Sequence, residues 1–350
     1  MASRFHQWGV TLIELLIALA LGLFITSGIL YIYLGSRVSY STQGAVSNVQ
    51  ETLRFGFEYL SYDIRMAGYM GCANLRDMTP QVVANPPVPT LGLGGSLVGH
   101  DNGSGWTNPT TVTRVAGTDV LSISRAAPNG GVSVACPASD GSQVFIESNP
   151  YNFAAGQLLI VADCSRSDVF RATSISNASG KVSIAHASSS NTQPTGSSCA
   201  PGSGKLVTEC KVGNYTGACG GAGGGGARVS VVEGWDYFIG INPRGNPSLY
   251  RVNTTTAAIN PEELVEGVYD MQFSYGLDTV DDTVFVADSY SSTPANWAQV
   301  VSVAVTISAR GADDNVVPDS TTYSYNGANV SDRRYRQTQT TVVGLRNLVQ

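Results

Sequence analysis

The chain has 350 residues, a formal charge of −6 and 43% hydrophobic residues, enough apolar side chain for one large domain or two ordinary ones, and unlike a disordered chain. Its 20 basic residues include only three lysines, Lys181, Lys205 and Lys211. They form no large cluster of the kind that binds phosphate backbones, so nucleic acid is set aside. The six cysteines (Cys72, Cys136, Cys164, Cys199, Cys210 and Cys219) lack the C-x-x-C spacing of a zinc site.

The first element is apolar. In WGVTLIELLIALALGLFI, residues 8–25, one carboxylate, Glu14, sits inside a run otherwise suited to hydrocarbon. From Leu12 to Leu34 it is the sole ionisable side chain apart from tyrosine, and such a stretch is long enough to cross a bilayer core of about 30 Å as a helix. A secretory signal peptide has a shorter apolar core followed by a small-residue cleavage site, and neither feature is present. The leader MASRFHQWG carries Arg4, which predicts a cytoplasmic start and an outward remainder. A charge in the membrane costs roughly 2.5 to 3.5 kcal/mol on insertion scales, which marks Glu14 as functional or partnered.

Beyond Leu34 the pattern turns amphipathic. Val46, Val49, Leu53, Phe57, Leu60, Ile64 and Ala67 recur every three or four residues, one face of a helix. Glu51, Arg54, Glu58, Asp63 and Arg65 are expected largely off this stripe, with Arg54 and Glu58 spaced for an i,i+4 pair. A continuous helix from Thr11 to Ala67 would measure about 85 Å. Gly22, Gly28, Gly35, Gly44 and Gly56 are its candidate bends, and Gly68 and Gly71 its stop.

Past Cys72, short apolar runs alternate with Gly, Pro, Asn and Ser clusters, which predicts a β-rich head. The predicted strands are 119–124, 157–163, 168–176, 181–185, 228–241, 248–252, 268–276, 297–309 and the closing RQTQTTVVGLR, with NPRGNP as a hairpin turn after Ile241. Loops are expected near 80–105 and, as a low-complexity insertion, near 188–226.

Candidate chemistry is sparse. The run from Gly221 to Gly226 fits G-x-G-x-x-G but precedes a strand-like ARVSVV, so it reads as a loop and not a dinucleotide site. Asp278, Asp281, Asp282 and Asp288 form a weak calcium candidate that departs from the EF-hand template at Val280, Thr283 and Ser289, so a solvated acidic turn is expected. Arg333, Arg334 and Arg336 read as a solvated face pairing with Asp332. His6, His100 and His186 accompany no nucleophile motif, so no catalysis and no cofactor are expected. The cysteines all lie past the membrane segment, which predicts disulfides in an oxidising compartment. Cys72 is expected to join Cys136 or Cys164, and Cys199, Cys210 and Cys219 to fasten the insertion, with at least one of these three bonding elsewhere or staying free and the connectivity open.

A short basic leader ending in Gly9, then V-T-L-I-E with Glu14 fifth after it, resembles the class III signal of type IV prepilins, although most members carry phenylalanine where this chain has Val10. The blocks RFGFEYLSYDIRMAGYMGC, GTDVLSISRA, LIVADCSRSDVFRATSI, YFIGINPRGNPSLYR, ELVEGVYDMQFSYGLDT and TTVVGLRNLV narrow the resemblance to the PilW family of minor pilins, similar in plan to the J-type pseudopilins of type II secretion. The resemblance implies an α+β pilin-like fold: a leader at 1–9, a membrane and polymerisation helix at 10–34, its amphipathic half at 35–70, and a β-rich head at 71–350. It implies cleavage after Gly9 by a prepilin peptidase, methylation of Val10, and neutralisation of a neighbour's N-terminal amine by Glu14. It also implies a low-copy role in starting pilus assembly, supporting adhesion and twitching motility. The expected partners are other minor pilins, the major pilin, the inner-membrane assembly platform and a large tip adhesin. The chain would rest in the inner membrane with a periplasmic head, then at the pilus tip. The alternatives are a secretion pseudopilin and a membrane-anchored surface-binding module.

Overall fold

The computed structural model describes residues 10–349 apart from 72–74, 76–77, 86–90, 130, 140–142, 164–165, 179, 193–225, 257 and 281–283, with 136–139, 178 and 349 described by backbone alone. Helix α1 (Leu12–Met66) runs without a break for 55 residues, between Thr11 as N-cap and Ala67 as C-cap. Strands β1 (Gln81–Val82), β2 (Leu97–His100), β3 (Val120–Ala126), β4 (Val132–Ser139), β5 (Gln143–Ile146) and β6 (Leu158–Ala162) follow. Next come β7 (Ser167–Arg171), β8 (Ser174–Ala178), β9 (Lys181–Ala185), β10 (Arg228–Ile241), β11 (Pro247–Asn253) and β12 (Pro261–Glu266). The last group is β13 (Val268–Leu277), β14 (Ser289–Ser291), β15 (Val300–Arg310), β16 (Thr321–Tyr325), β17 (Ala328–Asp332), β18 (Arg336–Gly344) and the short helix α2 (Arg346–Val349). The chain is thus an α+β protein, a long N-terminal helix followed by a β-rich domain.

Strand β10 organises the head because its two ends serve different parts of one twelve-stranded sheet. Its start, Arg228 to Val231, pairs with β6 and β4, and its remainder pairs with β3 and β11. A second sheet has the order β14-β13-β15-β18, and β16 and β17 form a separate hairpin. The main core lies between these layers. Val49, Leu53, Leu60 and Ile64 of α1 pack with Leu121, Tyr237 and Ile239 of one sheet and Met271, Val305 and Ile307 of the other. A smaller core, built from Val144, Leu159, Phe170, Ile184 and Val229, holds the β5–β9 region together. The apolar stripe on α1 is therefore the wedge that closes the main core.

The ends of α1 follow from local chemistry. Thr11 and Glu14 form a reciprocal capping box at the start. At the other end Asn347 donates from Nδ2 to the carbonyls of Arg65 and Ala67 at 3.1 and 3.3 Å, so the chain terminus satisfies the helix terminus. Gly68 follows at φ +73°, where a Cβ would meet Leu75 at 2.5 Å.

Several expectations need correction. The predicted strand 168–176 is two strands, since the chain changes partner from β6 to β9 at Ala172 and Thr173. The loop expected near 80–105 contains β1 and β2, and β2 is held in place by antiparallel pairing with β3. In the expected loop near 188–226, residues 193–225 lie outside the described residues. Strands β4, β5, β12, β14, β16 and β17 were not expected, and the hairpin at NPRGNP is present with Gly245 at φ +81°. The helix is unbroken at Gly56, whose hydrogen faces Ile307, with Cδ1 3.3 Å from where a Cβ would be. Arg54 makes no ion pair with Glu58 among the described residues and instead lies 5.2 Å from the Phe55 ring centre.

Candidate functional site

Functional geometry concentrates on α1, which has two unlike halves. From Leu12 to Tyr40 every residue is exposed, including the large side chains Phe24, Ile25, Tyr31 and Leu34. This half is long and apolar enough to cross a membrane. Within it Thr26 donates to the Gly22 carbonyl at 2.7 Å and Ser27 to the Phe24 carbonyl at 2.8 Å, which suits two hydroxyls in hydrocarbon.

Glu14 sits one turn inside this half. Its Oε2 accepts the Thr11 backbone N–H and the Thr11 hydroxyl, both at 3.2 Å. Oε1 has no partner among the described residues. A carboxylate here also faces the positive end of the helix dipole. Val10 is exposed beside it, while Gly9 and the rest of the leader lie outside the described residues.

The second half meets the head through a charged junction that the apolar pattern concealed. Asp63 was expected off the stripe, yet it is 2% exposed. It accepts hydrogen bonds from Arg125 Nη1 on β3 and from the Tyr237 hydroxyl on β10, and Arg251 of β11 stands 3.9 Å away. The two arginines have second carboxylates, Glu233 for Arg125 at 3.3 Å and Glu262 for Arg251 at 2.7 Å. Arg251 also stacks 4.4 Å from the Trp235 ring centre. Burial first, and then the Asp63 charge, push the Tyr237 hydroxyl far above its ordinary value, so it donates its proton at any physiological pH. This fully partnered network ties α1 to three strands at one point. Asp63 lies three residues after Leu60 and seven after Gly56, so helical spacing placed it on the buried face. Beside it a cleft of about 420 Å³ opens between Tyr59 and Tyr62 of α1 and the two arginines.

The remaining sequence candidates fare unequally. Asp332 accepts from Arg336 Nη1, from the Arg334 backbone N–H at 3.0 Å and from the Tyr323 hydroxyl at 3.0 Å, so the expected arginine pairing forms and anchors the β16–β17 hairpin. Arg333 is not part of it. Its Nε bonds the Val317 carbonyl at 3.0 Å. In the acidic turn Asp288 accepts from the N–H groups of Thr279 and Val280, which closes the turn. Asp278 is described, while Asp281 and Asp282 lie outside the described residues, among which no cluster suited to a metal occurs. Cys72, Cys164, Cys199, Cys210 and Cys219 lie outside the described residues, and Cys136 is described only by its backbone in β4. His100, Ser122 and Asp236 are neighbours, but Ser122 donates to Asp236 at 2.6 Å and His100 Nδ1 faces the Ser104 carbonyl at 3.1 Å. That order of contacts is not a nucleophile relay, in which the imidazole stands between hydroxyl and carboxylate.

The comparisons with known proteins bear on the head. Residues 236–347 match the family model of PilW, the type IV pilus-assembly protein W. No curated protein and no solved structure matches the chain. The matched segment begins in the part of β10 that faces α1, includes the whole β14-β13-β15-β18 sheet, and ends in α2. The match supports a PilW-like family, a type IV pilus-related role and association with other pilus components. The bare apolar half of α1 suggests membrane anchoring.

Proposed function

We propose that this chain is a minor pilin that helps to start type IV pilus assembly and stays at low copy at the fibre tip, without catalysis or cofactor. One observation carries the reading: a single unbroken helix is bare and apolar for its first half and forms the core of a head with a PilW-like segment for its second. Such a subunit anchors in a membrane and offers the same surface to neighbouring helices when withdrawn from it. The domains then follow as a leader at 1–9, an assembly helix at 10–34, its head-bound half at 35–70 and the head at 71–350. A prepilin peptidase cuts after Gly9, and the new amine of Val10 is methylated. Glu14 accepts a neighbour's amine through its free Oε1, so that two charges entering a low-dielectric fibre core neutralise each other. The partners are the other minor pilins, the major pilin, the inner-membrane assembly platform and a large tip adhesin. The cysteines cross-link the head in the periplasm.

Initiation suits a subunit of this build. The first few subunits lose freedom before repeated helix contacts offset that loss, as in any nucleated assembly. A head of this size is also easier to place at an end than within a tightly wound shaft. Deleting the gene is expected to cut surface fibres severely while leaving the shafts of the survivors normal. Complementation with the parent sequence restores fibre number, and complementation with Glu14→Ala does not, although its head folds. Normal fibre counts in the deletion strain would refute the reading.

A further inference from the structure

We propose that β18 is a docking edge on which another protein adds an extended strand. The inference rests on the geometry of the sheet and, for its occupant, on the membrane anchoring that α1 suggests, and it is independent of a role in a pilus.

The β14-β13-β15-β18 sheet has two edges, and they are built differently. On the β13 side β14 pairs with Tyr275 to Leu277, and the remainder is stoppered by Asp119. The Asp119 N–H donates to the Met271 carbonyl at 2.9 Å, and its carboxylate accepts the Phe273 N–H at 2.8 Å. On the other side β18 pairs with β15 from Arg336 to Gly344 in one unshifted register, with no strand beyond it among the described residues.

The flanking bonds fix which groups of β18 are open. Gly311 N–H donates to the Tyr335 carbonyl, and Leu345 N–H to the Val301 carbonyl, each across the extension of this ladder. In antiparallel pairing, hydrogen-bonded and non-bonded pairs alternate. Residues 337, 339, 341 and 343 therefore spend their backbone groups on β15. Thr338, Thr340, Val342 and Gly344 turn theirs outward, where none finds a partner among the described residues.

Natural sheets blunt an open edge by keeping it short or by placing charge, proline or a bulge on it. The other edges of the two larger sheets obey that rule. Strands β1, β2 and β14 have two, four and three residues, and β8 has five. Strand β12 carries Pro261, Glu262, Glu263 and Glu266 and a register shift in its pairing with β11. Strand β18 breaks the rule: it has nine residues, no bulge, no proline and one charge, Arg336, at its very start. Val342 is 57% exposed on it. Gln337 Oε1, on the other face of this strand, is a buried acceptor without a partner among the described residues.

The occupant is a strand of a different protein and not a second copy. Two β18 strands paired antiparallel in one sheet are related by a twofold axis perpendicular to that sheet, which reverses every direction in its plane. Helix α1 lies along this sheet, with Val49 and Leu53 in one core with Val305 and Ile307, so its copies would point opposite ways and could not enter one membrane from the same side. The fitting strand is uncharged, with small or hydroxyl-bearing side chains beside Thr338, Thr340 and Val342, and backbone bonds supply its affinity.

The test is photo-crosslinking of the full-length chain in its own membranes, with benzoylphenylalanine at Thr338, Thr340 or Val342 in turn, and peptide mapping of the adducts. The expected result is one extended segment of one other protein, whose crosslinked sites step by two residues as the probe steps by two. Thr340→Pro removes an outward N–H together with the hydroxyl that meets Thr306 at 2.8 Å, and Val342→Lys adds an edge charge. Probed from Thr338, each should lower the adduct about tenfold, with circular dichroism confirming the fold. If Thr340→Pro unfolds, Val342→Lys decides alone. Absent or scattered adducts, adducts on a second copy, sites without the two-residue step, or adducts that survive Val342→Lys overturn the proposal.

Discussion

The two halves of α1 share one backbone and differ in what their side chains meet. From Leu12 to Tyr40 no residue is buried, and the apolar side chains ring the helix. From Val49 to Ala67 the buried residues keep to one face, which both layers of the head cover, while Phe55, Tyr59 and Tyr62 are exposed. A helix that is apolar all round needs a solvent other than water, whereas one with a stripe needs only a partner layer. The same element is thus finished by the fold at one end and unfinished at the other. Mutations in the lower half should cost folding, and those in the upper half should cost assembly.

The largest effect on folding is expected at Asp63. Replacing it with Ala leaves Arg125 buried at the helix–sheet junction without its nearest carboxylate, and breaking a buried pair in this way costs about 3 to 5 kcal/mol. Thermal unfolding of Asp63→Ala measures it. Removing its buried members together, as Asp63→Leu with Arg125→Met and Tyr237→Phe, should cost much less, because Arg251 keeps Glu262, Glu233 is partly exposed, and no fully buried charge is stranded. Equal losses in both variants would mean that the junction contributes shape and not charge.

A smaller contrast lies in the glycines. Gly56 faces Ile307, so Gly56→Val forces a core shift costing about 1 to 3 kcal/mol. No atom lies within 4 Å of a Cβ built at Gly28, so Gly28→Val should leave the unfolding midpoint of the head unchanged. Matching midpoints for the two variants would break the distinction between the halves.

The smallest expected effect is at Asp332, away from α1. Burial pushes its carboxyl up, but hydrogen bonds from the Arg334 N–H, Arg336 and Tyr323 outweigh this and hold it below the ordinary 3.8. A lowered folded-state value stabilises above the unfolded value and is lost as pH falls through the folded one. The β16–β17 hairpin should therefore hold at neutral pH and loosen only below about pH 4. Amide exchange of Tyr323 followed from pH 6 to pH 3 checks this, and Asp332→Asn should abolish the pH dependence.

The sequence made some of this legible. Spacing alone placed Val49, Leu53, Leu60 and Ile64 on one face and marked most long strands, because period is a local property. Asp63 was misplaced because the stripe was drawn through apolar letters only. Its partners, Arg125 and Tyr237, are far along the chain, and only the fold brings them near. The division at Ala172 was hidden for the same reason, since a change of pairing partner leaves no local mark. The open edge of β18 depends on strand order, which no single run of residues encodes. Glu14 was legible as a charge out of place, while its bond to Thr11 required the helix to begin where it does.

The most direct test of the central claim is immunogold labelling of the head on intact fibres, with copy number counted against the major subunit. An initiating subunit with an unfinished helix should appear at fibre ends, a few copies per fibre. Label spaced along the shaft, or copy number near that of the major subunit, would contradict the account.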